Sequence, residues 1–492
     1  MGTSKVYKPW IALVSILALA APLAASSLPP LTASVPKLFP SVGVQGNSDA
    51  ALSTVRRQDQ VARNAQSVMT RLSPEEHLRR GAIYLANRAF EEAREHWQAL
   101  ISYYPNDPRV APALLGMARS YFQERRYMEA YSDYDRLARE YPATKDGREA
   151  LNFSAASLLR LGKTSEAADR YVQYINRFPD GERIDTAHLN AIDTLREADR
   201  IQEARSWVTR TRQRFAGTPT ATNALFGQLR LEISESNWKQ AITTAEELSR
   251  DSFQKGVATS PSEVAYLKAY SLERSGRQAQ AYSAYLAVPG GIDSYYGWLA
   301  TDHLASVADG RSRGFAGDRI QIVKAQIDLV SDRYPIPYRQ IIINEARARK
   351  LDPRFVLALI KQESVFRPQA KSLAGARGLL QLTIDAAQKY AAHAGMASVQ
   401  ENQLYQPETS IRLGSEYLAE LTTMFPNLPE AVAASYNGGE DNVARWVRRA
   451  KQKDAGVFTS EVGFEETKAY VQKVMNNYRV YQQLYTADLK RK

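Results

Sequence analysis

An interval of 37 residues organises the first two thirds of this chain. Ala93, Ala130, Ala167, Ala204 and Ala241 recur at that spacing, each preceded by Glu or Gln. Tyr104-Pro105, Tyr141-Pro142 and Phe178-Pro179 keep the same step, and Ala281 marks a sixth, slipped copy. A unit of this length holds two helices. The small Ala lets them approach closely, and the Pro twelve residues later ends the second, because it cannot continue the hydrogen-bond ladder. A helix hairpin cannot bury its apolar face alone and must stack on its neighbours. Residues 71–305 are therefore expected to form an α-solenoid. Two roles are open to it: a concave surface that holds a partner, or a scaffold that spaces and orients the C-terminal third. The aromatic residues between Tyr103 and Tyr141 read as hairpin packing.

Composition narrows the chemistry. With 44% hydrophobic and 24% charged residues, the chain is neither wholly disordered nor a multi-span membrane protein. It has no cysteine, so disulfides, thiolate metal sites and a cysteine nucleophile are excluded. His77, His96, His188, His303 and His393 are too scattered for a local metal motif such as H-E-x-x-H, and no metal or cofactor is expected. The 64 Lys and Arg exceed the 53 Asp and Glu, giving +11 and favouring a polyanionic partner. No compact basic run interleaved with aromatics points to nucleic acid.

The N-terminus suggests a compartment. Lys5 and Lys8 precede an apolar run from Trp10 to Ala25, broken only by Ser15 and Pro22. The run is short for a spanning helix, which needs about 20 apolar residues. With small residues at Ala21, Ala24 and Ala25, it reads as a signal peptide over residues 1–25. The competing reading is an uncleaved anchor in the inner membrane. No cysteine follows to carry a lipid. Export to a bacterial periplasm is expected, where a basic protein meets the cell wall. Residues 26–70, rich in Ser, Pro, Gly and Ala, read as a flexible linker.

The repeat units resemble tetratricopeptide repeats, lengthened over the common 34. Beyond them the period is lost. Residues 306–334, with a glycine-rich break from Gly310 to Gly317, read as a linker. A new domain over 335–492 is expected to fold on its own. Asp352-Pro353 is a helix start, Asp as N-cap and Pro at the first helical position. Val356, Leu359, Ile360 and Glu363 follow on one face. Glu363 thus lies on an apolar face near a helix C-terminus, where desolvation and the helix dipole both disfavour its ionised form. A carboxylic acid kept neutral suits a general acid; a buried structural Glu is the other reading of the helix alone.

The neighbours of Glu363 add to this. Glu363-Ser364, Ser372, the run Gly375-Ala376-Arg377-Gly378-Leu379-Leu380-Gln381-Leu382, then Ser435-Tyr436-Asn437-Gly438-Gly439, Glu466-Thr467 and Tyr470-Val471 come in order. Together they resemble the soluble lytic transglycosylases of peptidoglycan. Ser294 to Ala300 resembles the segment joining the helical superstructure to the catalytic domain in that family. The resemblance implies an all-α protein whose solenoid precedes a lysozyme-like catalytic domain. It implies Glu363 as the single catalytic acid/base, Ser372, Gln381, Tyr436 and Asn437 as polar groups lining the sugar site, and Glu466 as a carboxylate that helps position the site. It further implies peptidoglycan strands as substrate, with a protein partner on the repeat array as an added prospect. By that family's mechanism the β-1,4 bond between N-acetylmuramic acid and N-acetylglucosamine is broken and a 1,6-anhydromuramic end forms. A lysozyme-type hydrolase and a non-cleaving wall-binding scaffold remain as alternatives. The chain departs from the family's usual pattern at Leu380 (Met), Thr383-Ile384 (Met-Pro) and Ser435 (Ala). Leu for Met conserves volume; Thr383 puts a hydroxyl where a flexible apolar group would touch a sugar.

Overall fold

The computed structural model describes residues 49–63, 69–307, 313–372 and 374–492. The proposed signal peptide falls outside the described residues. Among them are twenty-three α-helices and no strands, only isolated β-bridges. No described helix is long and apolar enough to cross a membrane.

After α1 (Asp49–Val61) come six helix hairpins: α2 (Pro74–Ala86) with α3 (Phe90–Tyr103), α4 (Val110–Gln123) with α5 (Tyr127–Glu140), α6 (Lys145–Arg160) with α7 (Thr164–Arg177), α8 (Ile184–Glu197) with α9 (Ile201–Arg214), α10 (Pro219–Ser234) with α11 (Trp238–Leu248), and α12 (Pro261–Arg274) with α13 (Gln278–Ala287). The periodic alanines all lie in the second helix of a hairpin, and Ala93, Ala130, Ala167, Ala204, Ala241 and Ala281 are fully buried. The aromatic residue before each periodic Pro is the helix C-cap, at Tyr104, Tyr141 and Phe178. The sixth copy slips because a longer loop, 249–260, separates α11 from α12.

The turns inside the first five hairpins pass through the left-handed region at Arg88, Arg125, Gly162, Asp199 and Ser236, again 37 residues apart. These turns face the C-terminal helices. Arg88 pairs with Asp385 at 2.6 Å, Arg125 with Glu440 at 2.5 Å and Asp199 with Lys451 at 3.8 Å. Ser236 accepts a hydrogen bond from Gln452 at 3.4 Å. Gly162 has no side chain to offer, and Arg160 beside it reaches Asn442 instead.

Two expectations differ from the structure. Residues 26–70 are expected to be a flexible linker; 26–48 and 64–68 lie outside the described residues, but within the rest α1 packs Leu52 and Val55 against the first hairpins. Asp59 on α1 is buried among Arg80, Tyr84 and His96. The expected 306–334 linker contains α15 (Arg313–Leu329), which follows α14 (Tyr295–Val307) and buries Val323 and Ile327. Gly314 and Gly317 lie exposed in its first two turns, and the burial of Val323 and Ile327 further along offsets a helix cost of about 1 kcal/mol per glycine.

The remaining helices are α16 (Arg339–Ala348), α17 (Pro353–Glu363), α18 (Ile384–Ala391), α19 (Pro407–Met424), α20 (Pro429–Gly438), α21 (Glu440–Ala450), α22 (Ala455–Glu461) and α23 (Glu465–Leu484). Their core does not stop at residue 335. One hydrophobic cluster joins Leu229, Tyr266 and Tyr296 of the array side to Val356, Leu359, Phe458 and Val471. The contact is close at Gly456: a Cβ there would stand 2.2 Å from the Tyr266 ring, so only glycine lets α22 seat on α12 without a shift. A buried ionic knot crosses the same seam. Glu461 takes Arg196 at 2.5 Å and Arg230 at 3.2 Å from the array, and Arg449 at 3.2 Å from α21.

Candidate active site

The site begins with how α17 is started and stopped. The Asp352 carboxylate accepts the Arg354 N–H at 2.9 Å and Pro353 fills the first turn, which fixes the N-terminus. Val356, Leu359 and Ile360 are completely buried. Glu363 is the last helical residue, and Ser364 caps the end by donating its N–H to the Ile360 carbonyl at 3.0 Å. Val365 and Phe366 then adopt φ of 50° and 59°, which turns the chain away at once. A β-branched residue in that region is strained, and the Val365 side chain is left exposed.

Glu363 is 7% exposed and accepts a hydrogen bond from the Tyr470 hydroxyl at 2.6 Å. Burial pushes its carboxyl up to about 7, with the Tyr470 hydrogen bond opposing and the Glu466 carboxylate adding to the rise. The group is therefore poised to hold or release a proton near neutrality. Tyr436 also stands within its field, since burial and then the Glu363 charge push the Tyr436 phenol well up.

The loop after α17 forms the second wall. Ser372 accepts the Ala376 N–H on its hydroxyl at 3.1 Å and donates its own N–H to the Ala376 carbonyl at 2.9 Å, closing a tight turn. Gly378 has φ of 82°, and a Cβ on it would stand 1.9 Å from the Leu404 carbonyl oxygen. Gln381, itself at φ of 46°, donates its side-chain amide to the Ala370 carbonyl at 3.0 Å and the Gly378 carbonyl at 2.9 Å. Both amide hydrogens hold the loop, so contact with a ligand is left to the amide oxygen. Thr383 is the N-cap residue of α18, with extended backbone and no side-chain capping hydrogen bond.

The third wall is the end of α20. Tyr436 donates its hydroxyl to the Leu380 carbonyl at 2.7 Å, tying α20 to the loop. Its ring packs on Tyr417 at 5.1 Å, and Tyr417 stacks on Tyr390 at 5.3 Å. Asn437 accepts the Thr467 hydroxyl at 2.6 Å. Its amide nitrogen makes no hydrogen bond to the described residues. Glu466 is exposed in the first turn of α23, where a carboxylate is favoured by the helix dipole. A cleft of about 760 Å³ lies beside it, between α8, α10 and the start of α23. Among the described residues no group of three or more His, Asp or Glu converges to hold a metal.

The structure thus brings Glu363, Tyr436 and Glu466 together, with Asn437 joined through Thr467. Ser372 and Gln381 shape the loop beside them. No role follows from sequence alone for Tyr470, Thr467, Tyr390 or Tyr417. The spacing of Tyr470 four residues after Glu466, on one face of a helix, was the available signal for the first.

The fold and site define an all-α protein in which stacked helix hairpins hold a helical domain that buries the Glu363 carboxyl beside Tyr470. Residues 340–458 match the transglycosylase SLT domain, and residues 77–107 and 112–144 match the tetratricopeptide repeat. The C-terminal part is thus similar to a transglycosylase SLT domain, and the first hairpins are similar to tetratricopeptide repeats. A Haemophilus influenzae relative is 35% identical over 155 residues, 31% of this chain and 26% of its own length. The soluble lytic murein transglycosylase of Escherichia coli K12 is 30% identical over 165 residues, 33% of this chain and 25% of its own. The aligned stretch thus spans about a quarter of these relatives. The solved lytic transglycosylase Slt of Pseudomonas aeruginosa aligns over 91% of this chain and 87% of its own, at 17% identity and a TM-score of 0.49.

Proposed function

We propose that this chain is an exported peptidoglycan lytic transglycosylase with Glu363 as its single acid/base. The observation that carries the reading is the buried Glu363 carboxyl, held by Tyr470 within an SLT domain and shifted to about 7. Glu363 protonates the oxygen between N-acetylmuramic acid and N-acetylglucosamine. The substrate's acetamido group stabilises the developing positive charge. Glu363, now ionised, takes the proton of the muramic 6-hydroxyl as that oxygen closes onto the anomeric carbon. The product is a 1,6-anhydromuramyl end, and no water is consumed. An attached hydroxyl has a high effective concentration, worth several kcal/mol in good geometry, and it needs no second base. Ordinary glycosidases use two carboxylates; in this reading Glu466 tunes Glu363 through its charge and takes no proton. The Asn437 amide nitrogen and the Gln381 amide oxygen are the polar groups left over for sugar hydroxyls and acetamides.

The test is digestion of purified sacculi in oxygen-18 water, followed by mass analysis of the muropeptides. Unlabelled ends lighter by one water are expected. Reducing ends carrying the heavy oxygen would make the chain a hydrolase of the same bond. Binding without cleavage would make it a scaffold.

A further inference from the structure

The first two turns of α23 touch the site three times. Glu466 bears on Glu363 by charge, Thr467 holds Asn437, and Tyr470 donates to Glu363. Between these residues, on the opposite side of the helix, Lys468 points into the repeat array. Its ammonium donates to Glu263 of α12 at 3.0 Å and to the Ala258 carbonyl at 3.1 Å. Both side chains are buried, Glu263 at 1% and Lys468 at 7% exposure.

Glu263 is held from its own side. Tyr296 donates to it at 2.8 Å, Thr259 donates to its other oxygen at 2.8 Å, and its backbone N–H is capped by Ser260. An ion pair out of water is costly to break, because the abandoned partner stays charged and buried. It therefore fixes the distance between the two elements more strictly than apolar contact does.

We infer that the Glu263–Lys468 pair is a positioning contact, through which the repeat array sets the start of α23 and with it the Tyr470–Glu363 and Thr467–Asn437 hydrogen bonds. The inference deepens the acid/base reading of Glu363 and takes its significance from it. Removal of the contact lets α23 move, and the short bond to Glu363 weakens. The groups facing Glu363 are Tyr470 and Glu466 from α23 and Tyr436 from α20. Of these, Tyr470 is the one that favours the ionised carboxylate, so its retreat raises the Glu363 midpoint.

The experiment tracks the Glu363 carboxyl by NMR in the full chain labelled with carbon-13 glutamate, the signal assigned by its loss in Glu363→Gln. It needs no substrate, so its outcome is separate from that of the sacculus digestion. Tyr470→Phe is expected to move the midpoint up by about one pH unit, the ordinary effect of losing a hydrogen bond to the charged form. The neutralised pair Glu263→Gln with Lys468→Met is expected to move it the same way. Adding Tyr470→Phe to that pair should give no more than Tyr470→Phe alone. A folded double variant that titrates like the parent, or shifts that simply add, would overturn the inference. If the double variant does not melt cooperatively, Lys468→Met alone carries the same comparison, because Tyr296 and Thr259 still donate to the two oxygens of the Glu263 carboxylate.

Discussion

At the scale of single residues, the state of Glu363 makes a prediction about stability as well as rate. A carboxyl whose folded pKa is raised contributes stability that is fully present below the ordinary carboxylate range. That contribution is lost as the pH rises through about 7, on the order of a few kcal/mol in all. Glu363→Gln keeps the shape and the acceptor for Tyr470 but never ionises. It is expected to melt with the parent near pH 4 and well above it near pH 8, as calorimetry would show. Its turnover on sacculi should fall by about two to four orders of magnitude. A variant that melts with the parent at both pH values, or turns over at the parent rate, would contradict the role given to this carboxyl. The burial of Glu363 was legible in the sequence, because Val356, Leu359 and Ile360 share its helix face. The partner that tempers it was not: Tyr470 lies 107 residues away, and only the fold brings it there. Thr383 shows the opposite case. It looks out of place as a sugar contact, and it is the N-cap residue of α18.

At the scale of elements, helices were legible and their limits less so. The alanine period located the second helix of every hairpin, and the three Tyr-Pro and Phe-Pro steps located the ends of the first three. α15 was hidden behind its glycines, because a helix supported by packing tolerates residues that an isolated one does not. The loop from Ser372 to Leu382 was legible as a glycine-rich turn, but not as a braced one. Its tightest point is Gly378, where left-handed backbone and a carbonyl 1.9 Å from the missing Cβ coincide. Gly378→Ala should destabilise the protein by about 2–4 kcal/mol, read as a lowered urea midpoint. It should also displace Gln381, whose amide donates to the Gly378 carbonyl. An unchanged midpoint would mean that the loop yields more easily than its contacts imply.

At the scale of the whole molecule, sequence reading placed a boundary at Pro335 where the hydrophobic core is continuous. The change of period marks the end of the repeats, and packing does not respect that mark. A fragment of residues 335–492 loses Leu229, Tyr266 and Tyr296 from its core. It also leaves Glu461 and Lys468 without their buried partners on the array. Such a fragment is expected to bind a hydrophobic dye and to melt without cooperativity. A longer one that starts at α8 regains Arg196, Arg230 and Glu263 and should melt cooperatively. A cooperative melt of the short fragment would show that the C-terminal helices need none of these contacts. His303 marks the same seam. Burial pulls its pKa down, but Asp454 and Glu273 carry it up to about 9, so it bridges the two parts as a cation at neutral pH.

Repeat arrays commonly gain and lose units, because each copy answers only to its neighbours. The left-handed turns that step along this array answer to something else as well. In order along the array they stand opposite Asp385, Glu440, Asn442 and the Lys451-Gln452 pair. Duplication or deletion of one hairpin would carry every turn on one side of the change out of step with its counterpart. The lineage of such a chain is therefore free to drift in the sequence of its repeats, but its copy number is frozen by the domain they enclose.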